Sequence, residues 1–117
     1  SKKNIRWNMD MIKSALNIDK KLIELKKDYS EYVSDSIAYS LVLNLRSLYI
    51  IESIRKKQRW DNEKFFSLIK EISGSLEAYD GYLRVKNNER TRESFDIKEA
   101  EKLLNYAYKK LTEQKSE

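Results

Sequence analysis

Apolar residues recur three or four positions apart along most of the chain, which is the spacing of one helix face. The first such segment covers residues 5–27, and lysines and other polar residues fill its other positions. Its apolar positions are Met11, Ala15, Ile18, Leu22 and Leu25, with Ile12, Leu16 and Ile23 widening the stripe. This pattern predicts an amphipathic helix.

The second segment starts at residue 31 or 34, ends near residue 57, and is apolar around much of its circumference. Its apolar positions are Ile37, Ala38, Leu41, Val42, Leu45, Leu48, Tyr49, Ile50 and Ile51. So wide an apolar face predicts the central and most buried helix. Because polar residues, Arg46 and Glu52 among them, interrupt the apolar stretch, we do not interpret it as a transmembrane helix.

Two further segments follow, each with a recognisable start. Asp61 can cap the third segment. Residues 73–75 interrupt its apolar pattern, which then resumes as far as Lys86, so the segment could form either one kinked helix or two short helices. After a polar loop at residues 87–92, Asp96 with Glu99 three positions later marks the start of the last helix. The sequence therefore predicts a single all-α domain over residues 1–117, an up-and-down antiparallel bundle of four to five helices.

Composition restricts the chemistry available to this domain. The chain has no proline, histidine or cysteine and only two glycines. Imidazole metal sites, His-based acid–base catalysis, cysteine nucleophiles and Gly-rich phosphate loops are therefore excluded. Because the expected inward stripes contain almost no glutamate, a carboxylate-only metal site is not expected either. We predict no catalytic residue and no metal site in this chain.

The net charge and the cysteine content indicate which partners and which cellular compartment to expect. The net charge is +5 with 37% charged residues, which allows nucleic-acid binding without indicating it. Without cysteine or a signal peptide, we expect a soluble, cytoplasmic protein that has no membrane partner. Since the first methionine is Met9, we expect the sequence to be an excised piece of a longer protein.

Polar residues on the buried helix form one candidate site. Asn44 and Arg46 lie within its apolar run, and a buried arginine is costly unless it is paired. Arg46 could hold a phosphate through its planar guanidinium. It could equally form a structural ion pair or face solvent.

The segment before the polar loop forms a second candidate site. Tyr79, Tyr82 and Lys86 share one helical face, and Arg84 lies on another. Tyrosines beside cations could stack a base and hold its phosphates, or they could be core residues whose hydroxyls reach the surface. The basic groups at residues 55–59 and 84–92 form one patch only if their loops lie together.

Three stretches together resemble a known family. Residues 36–51 (SIAYSLVLNLRSLYII) look like the second helix of the helical domain that follows the catalytic domain in archaeal nucleotidyltransferases. Residues 78–87 (AYDGYLRVKN) resemble the end of its third helix, and residues 96–104 (DIKEAEKLL) resemble its last helix. That domain is similar to the substrate-binding domain of kanamycin-type nucleotidyltransferases and to the HEPN superfamily. The resemblance covers roughly residues 30–112.

The resemblance implies a non-catalytic helical domain for substrate binding and dimerisation. Mg²⁺ and a nucleoside triphosphate would then belong to a nucleotidyltransferase domain, fused or separate, and a second copy of this chain would be a possible partner. The residues expected to contact substrate are Arg46, Tyr79, Tyr82, Arg84 and Lys86.

Two alternatives remain open beside this reading. A HEPN-type ribonuclease would carry a histidine four to six residues after its arginine. Arg84 could be that arginine, but Asn88, Glu89 and Arg90 stand where the histidine would be. The other alternative is a basic helical module that binds nucleic acid or serves as an adaptor.

Overall fold

The computed structural model describes residues 2–116, which form five helices and one very short strand pair. The helices are α1 (Lys2–Lys27), α2 (Asp35–Arg55), α3 (Asn62–Ser73), α4 (Glu77–Lys86) and α5 (Ile97–Lys115). The strands are β1 (Tyr32–Val33) and β2 (Phe95–Asp96). The all-α bundle is confirmed, and the interrupted third segment consists of two helices.

Local sequence signals set several helix boundaries. The carboxylates of Asp61 and Asp96 each accept hydrogen bonds from the backbone N–H groups two and three residues later, so both act as N-caps as predicted. Gly74 ends α3 with φ = +97°, a backbone conformation that glycine adopts without steric cost. Glu99 accepts the Ser75 hydroxyl at 2.5 Å, so its carboxylate ties the start of α5 to the turn between α3 and α4.

Contacts along the helices define how the bundle is arranged. α1 runs antiparallel to α5, because Lys27 pairs with Glu101 near one end and Lys115 lies 3.8 Å from Asp10 near the other. α2 runs parallel to α5, since the last residue of α2, Arg55, donates to both the backbone and the side-chain oxygen of Gln114 in the last turn of α5. α2 therefore also runs antiparallel to α1.

As predicted, α2 is the central helix, and it packs against α1, α4 and α5. Its buried apolar residues are Ile37, Ala38, Leu41, Val42, Leu45, Leu48 and Ile51. Its length and hydropathy would also suit a membrane-spanning helix. Burial among three neighbouring helices explains the same apolar composition.

The strand pair was not predicted from the sequence. Tyr32 pairs with Asp96 and Val33 with Phe95 in antiparallel register. A strand of two residues is too short to show an alternating pattern, so periodicity gives no signal for it. The pair joins the segment before α2 to the segment before α5.

The apolar stripe predicted for α1 is buried at Ile12, Leu16 and Ile23, but the prediction was wrong for its leading positions. The helix buries Met9, Ile12, Leu16, Asp19 and Ile23. The positions expected to lead the inner stripe, Met11, Ile18, Leu22 and Leu25, are exposed instead. α1 is therefore apolar on two sides, and only one of them packs in the core.

The closest approach of α4 to α2 generates a stability prediction. A Cβ atom at Gly81 would lie 2.9 Å from Asp35 Oδ1 and 3.0 Å from Ala38 Cβ, whereas one at Gly74 would have no atom within 4 Å. Gly81→Ala should therefore lower the unfolding free energy by about 1–2 kcal/mol, since overpacking outweighs the gain in helix propensity.

Chemical denaturation of four variants tests this steric cause. Gly81→Leu should be much less stable than Gly81→Ala, because the added atoms press against α2. At Gly74 the cost arises from the backbone conformation, so Gly74→Ala and Gly74→Leu should be about equally destabilised, by about 1 kcal/mol. Equal losses for alanine and leucine at position 81 would contradict the close approach.

Candidate functional site

A buried ion pair anchors the end of α4 to the start of α2. Arg84 Nε lies 2.7 Å from Asp35 Oδ2, and Arg84 Nη2 lies 3.0 Å from Asp35 Oδ1. The Asp35 side chain is fully buried and that of Arg84 is 14% exposed. This two-point geometry matches the planar guanidinium to the carboxylate and fixes the direction of both side chains.

The same carboxylate also holds the loop that follows α4. The backbone N–H of Arg92 donates to Asp35 Oδ2 at 2.8 Å, and the backbone N–H of Asp35 donates to the Arg92 carbonyl at 2.9 Å. Burial by itself would raise the pKa of Asp35, but hydrogen bonds from Arg84 and from the Arg92 N–H outweigh it and hold that pKa below its ordinary value. Asp35 is thus a structural anion.

Three tyrosines form a stack where α4 packs on α2, and we call Tyr39, Tyr79 and Tyr82 the tyrosine stack. The rings of Tyr39 and Tyr82 are nearly parallel, with centroids 5.4 Å apart, and the Tyr79 ring lies 5.7 Å from that of Tyr82. Phe66 of α3 meets Tyr79 edge to face at 4.8 Å. Lys86 Nζ lies 5.8 Å from the centre of the Tyr82 ring.

The polar groups of this stack are not used inside the bundle. Within residues 2–116, the hydroxyls of Tyr39, Tyr79 and Tyr82 make no hydrogen bond, and Lys86 has no carboxylate partner. Phenol hydroxyls and an ammonium group are hydrogen-bond donors. Tyr82 is only 7% exposed and Tyr39 and Tyr79 are half-buried, so the stack presents parts of its rings and its hydroxyls beside the exposed Lys86.

Arg46 lies in a second aromatic cluster, formed by Tyr49, Trp60 and Phe65, which we call the Trp60 cluster. Its guanidinium carbon lies 4.9 Å from the Trp60 ring, a cation–π contact. Tyr49 and Phe65 meet the same ring at 4.9 and 5.5 Å. Among the described residues Arg46 has no carboxylate partner, so the ion pair considered for it is not formed.

The five residues expected to contact substrate thus divide into three groups. Tyr79, Tyr82 and Lys86 come together as predicted, whereas Arg84 is paired with Asp35 and Arg46 lies over the Trp60 ring. The two basic segments do not form one patch. Arg84 and Arg92 bind the first residue of α2 and Arg55 is its last, about 30 Å away at 1.5 Å per residue.

A second buried carboxylate lies between α1 and α2. Asp19 is 3% exposed, and Oδ2 accepts the Ser40 hydroxyl at 2.5 Å. Burial raises the pKa of Asp19 to about 6, although the hydrogen bond from Ser40 acts in the opposite direction. Asn44 donates to the Ser40 backbone oxygen at 2.7 Å, so this polar residue of the buried helix has a structural role.

Sequence patterns missed several residues of these sites. Asp35 and Asp19 are acidic residues in a chain with many exposed ones, and nothing in their spacing marks them as buried. Tyr39 lies seven residues before Arg46, hence on the same side of α2, but no spacing in the sequence marks it as the partner of Tyr82. Trp60 is half-buried.

Comparisons with known proteins add no assignment. No family model, curated protein or solved structure matches the chain. Within residues 2–116, no three histidine, cysteine, aspartate or glutamate side chains form a group that could hold a metal ion.

The ion pair predicts unequal effects for two cations that lie close together in α4. Arg84→Met should lower the unfolding free energy by about 3–5 kcal/mol, because it leaves the buried Asp35 carboxylate without its partner. Lys86→Met should change it by less than about 0.5 kcal/mol, since Lys86 is exposed. Urea denaturation of both variants measures the difference, and equal losses would contradict a structural role for Arg84.

Asp19 predicts a specific pH dependence. Its pKa is about 6 in the folded chain and about 4 when unfolded, so the folded state holds the proton more tightly between these values. Stability from this group is present at low pH and falls by up to about 3 kcal/mol as pH rises from about 4 to 6.

Asp19→Asn should remove this loss, so the variant should be more stable than the parent at pH 7 and have a flatter stability profile between pH 4 and 6. The exposed Glu89→Gln serves as the control and should follow the parent. Thermal unfolding at a series of pH values measures both profiles. A parent profile that rises through this window in step with Asp19→Asn would contradict the raised pKa.

Proposed function

We propose that this chain is the non-catalytic, substrate-binding helical module of a nucleotidyltransferase. The observation that carries the proposal is the tyrosine stack beside Lys86, where three hydroxyls make no hydrogen bond and the ammonium group has no carboxylate partner within the described chain. The resemblance of residues 36–51 and 78–87 to the helical domain of archaeal nucleotidyltransferases supports the same role.

The stack suits a ligand that combines a planar ring with negative charge. The exposed edge of Tyr79 and the Tyr82 hydroxyl offer stacking area and donors, while Lys86 supplies a positive charge. Because Tyr39 and Phe66 pack against these rings from α2 and α3, the surface is preorganised and loses little entropy on binding. A nucleotide, or an acceptor bearing a phosphate, has this combination.

The Trp60 cluster provides a second contact surface for the same ligand or its partner domain. A groove of about 520 Å³ is lined by Tyr49, Trp60, Arg59, Lys64 and two further polar residues, Gln58 and Asp61. Arg46 keeps its charge without a carboxylate neighbour in the described chain. We therefore retain Arg46 with Tyr79, Tyr82 and Lys86 as contact residues, and we assign Arg84 to positioning α4.

The position of Arg84 weakens the ribonuclease alternative. Its Nε and Nη2 atoms are both engaged by Asp35, so they cannot also bind a scissile phosphate without breaking a buried pair. No histidine exists in the chain to act with it. In our proposal, nucleotidyl transfer is performed by a separate or fused domain that supplies Mg²⁺ and the nucleoside triphosphate.

Titration of the ¹⁵N-labelled chain with Mg-ATP tests the proposal. Amide signals of α4 and of the Trp60 cluster should shift at millimolar ATP, and Lys86→Ala should weaken the interaction about tenfold by removing the charge. Tyr79→Phe and Tyr82→Phe remove only the hydroxyls and should each weaken it several-fold. Tyr29→Phe, at a tyrosine that is 75% exposed outside the stack, is the matched control.

Other results of the same titration have defined meanings. Absence of α4 shifts with Mg-ATP, together with unchanged transfer by a nucleotidyltransferase domain carrying the Lys86→Ala module, would overturn the proposal. Binding of an RNA oligonucleotide with affinity that falls steeply with salt would instead favour the nucleic-acid-binding alternative, because neutralised phosphates release counterions.

A further inference from the structure

The outer side of α1 carries a row of exposed apolar residues, which we call the outer stripe. It consists of Trp7, Met11, Ile18, Leu22 and Leu25, which are 63%, 54%, 59%, 47% and 65% exposed. The stripe extends over about 27 Å, given 1.5 Å per residue from position 7 to position 25. It is distinct from the core face of the same helix. A row of exposed apolar residues of this length is characteristic of an interaction site.

The groove between α1 and α2 extends this surface. It has a volume of about 530 Å³, and none of its lining residues is charged, although 37% of the chain is. Two exposed apolar residues of α2, Leu43 and Ile54, lie along it. Depletion of charge is characteristic of the centre of a protein interface.

The exposed apolar area of α1 and its groove approaches that of a standard protein interface. The five residues of the outer stripe, together with Leu43 and Ile54, each expose on the order of 100 Å² of apolar surface, which gives about 700 Å² in all. A standard interface buries about 800 Å² per partner.

The outer stripe is complementary to itself when two copies of α1 are laid antiparallel with their centres at residue 16. Trp7 then faces Leu25 of the second copy, and Met11 faces Leu22 of the second copy. Ile18 faces the small residues Ser14 and Ala15. Each large side chain therefore meets either an apolar partner or a gap, as packing of ridges into grooves requires.

The charges beside the stripe are complementary in the same register. Lys3, Asp10 and Lys21 are separated by seven and eleven residues, so they follow one flank of α1, and Asp28 lies in the turn directly after the helix. In antiparallel pairing this flank meets itself, which places Asp10 against Lys21 of the second copy and Lys3 against Asp28. Within the described chain, the only ion pair of these four residues is the 3.8 Å contact of Asp10 with Lys115.

We propose that the chain forms a two-fold symmetric homodimer in which α1 packs antiparallel against α1 of a second copy through the outer stripe. A two-fold axis requires the same surface on both subunits, and the apolar and charged patterns of α1 both meet this condition. The proposal depends on α1 and its groove alone, so it stands whether or not the tyrosine stack binds a nucleotide.

Sedimentation equilibrium tests the oligomeric state. The parent chain should have twice the monomer mass of 14.0 kDa, and Leu22→Asp should raise the dimer dissociation constant at least about 100-fold by burying an unpaired charge. Ser67→Asp adds the same charge to an exposed position of α3 and should leave the dimer intact. Because Leu22 lies outside the core, circular dichroism should show unchanged folding in both variants.

Exchanging the charges of Asp10 and Lys21 tests whether the partner is a second copy that pairs in this register. Asp10→Lys and Lys21→Asp should each weaken the dimer, since each places like charges opposite one another on both sides of the axis. The double variant restores opposite charges and should recover dimerisation. Recovery would not occur if α1 paired in another register or if the stripe bound a different protein.

A single cysteine gives an independent readout, because the chain has none of its own. In the proposed register the two Ser14 residues are separated by about 6 Å along the axis, so Ser14→Cys should cross-link with a short bismaleimide. Ser67→Cys should not. A chain that remains monomeric at high concentration, or a dimer that Leu22→Asp leaves unaffected, would overturn the proposal.

Discussion

The position of α4 depends on one buried carboxylate, that of Asp35, which requires hydrogen-bond donors. Asp35 is fully buried, and an unpaired charge there would cost several kcal/mol. Arg84 satisfies it from α4, and the Arg92 N–H satisfies it from the following loop. The tight fit of α4 against α2 follows, and with it the need for glycine at position 81, where any side chain would meet this carboxylate.

This constraint also produces the candidate binding surface. With Arg84 turned inward to Asp35, the neighbouring turns of α4 place Tyr79, Tyr82 and Lys86 on another side of the helix, where Tyr39 and Phe66 pack against the tyrosines. Arg84 thus has a structural role, while the charge of Lys86, two residues later, stays available. The structural role of Arg84 could be distinguished from the proposed binding role of Lys86 only because the structure shows that Arg84 has a carboxylate partner.

The sequence was sufficient for features whose physics is local. The caps at Asp61 and Asp96, the interruption at Gly74 and the wide apolar face of α2 depend on residues close together in the chain, and all were predicted. The ion pair of Asp35 and Arg84 joins residues 49 positions apart, which no periodicity reports. The prediction of which α1 residues are buried was partly wrong for another reason. Two sides of that helix are apolar, and the side that packs in the core includes Asp19.

The exposed apolar side of α1 therefore indicates how this helix packs. A helix with one apolar side needs one neighbouring layer, and a helix with two apolar sides needs two. Core packing accounts for one side of α1, and a second copy would account for the other. Tyr39 connects this surface to the candidate binding surface, because it lines the groove beside the outer stripe and also stacks on Tyr82.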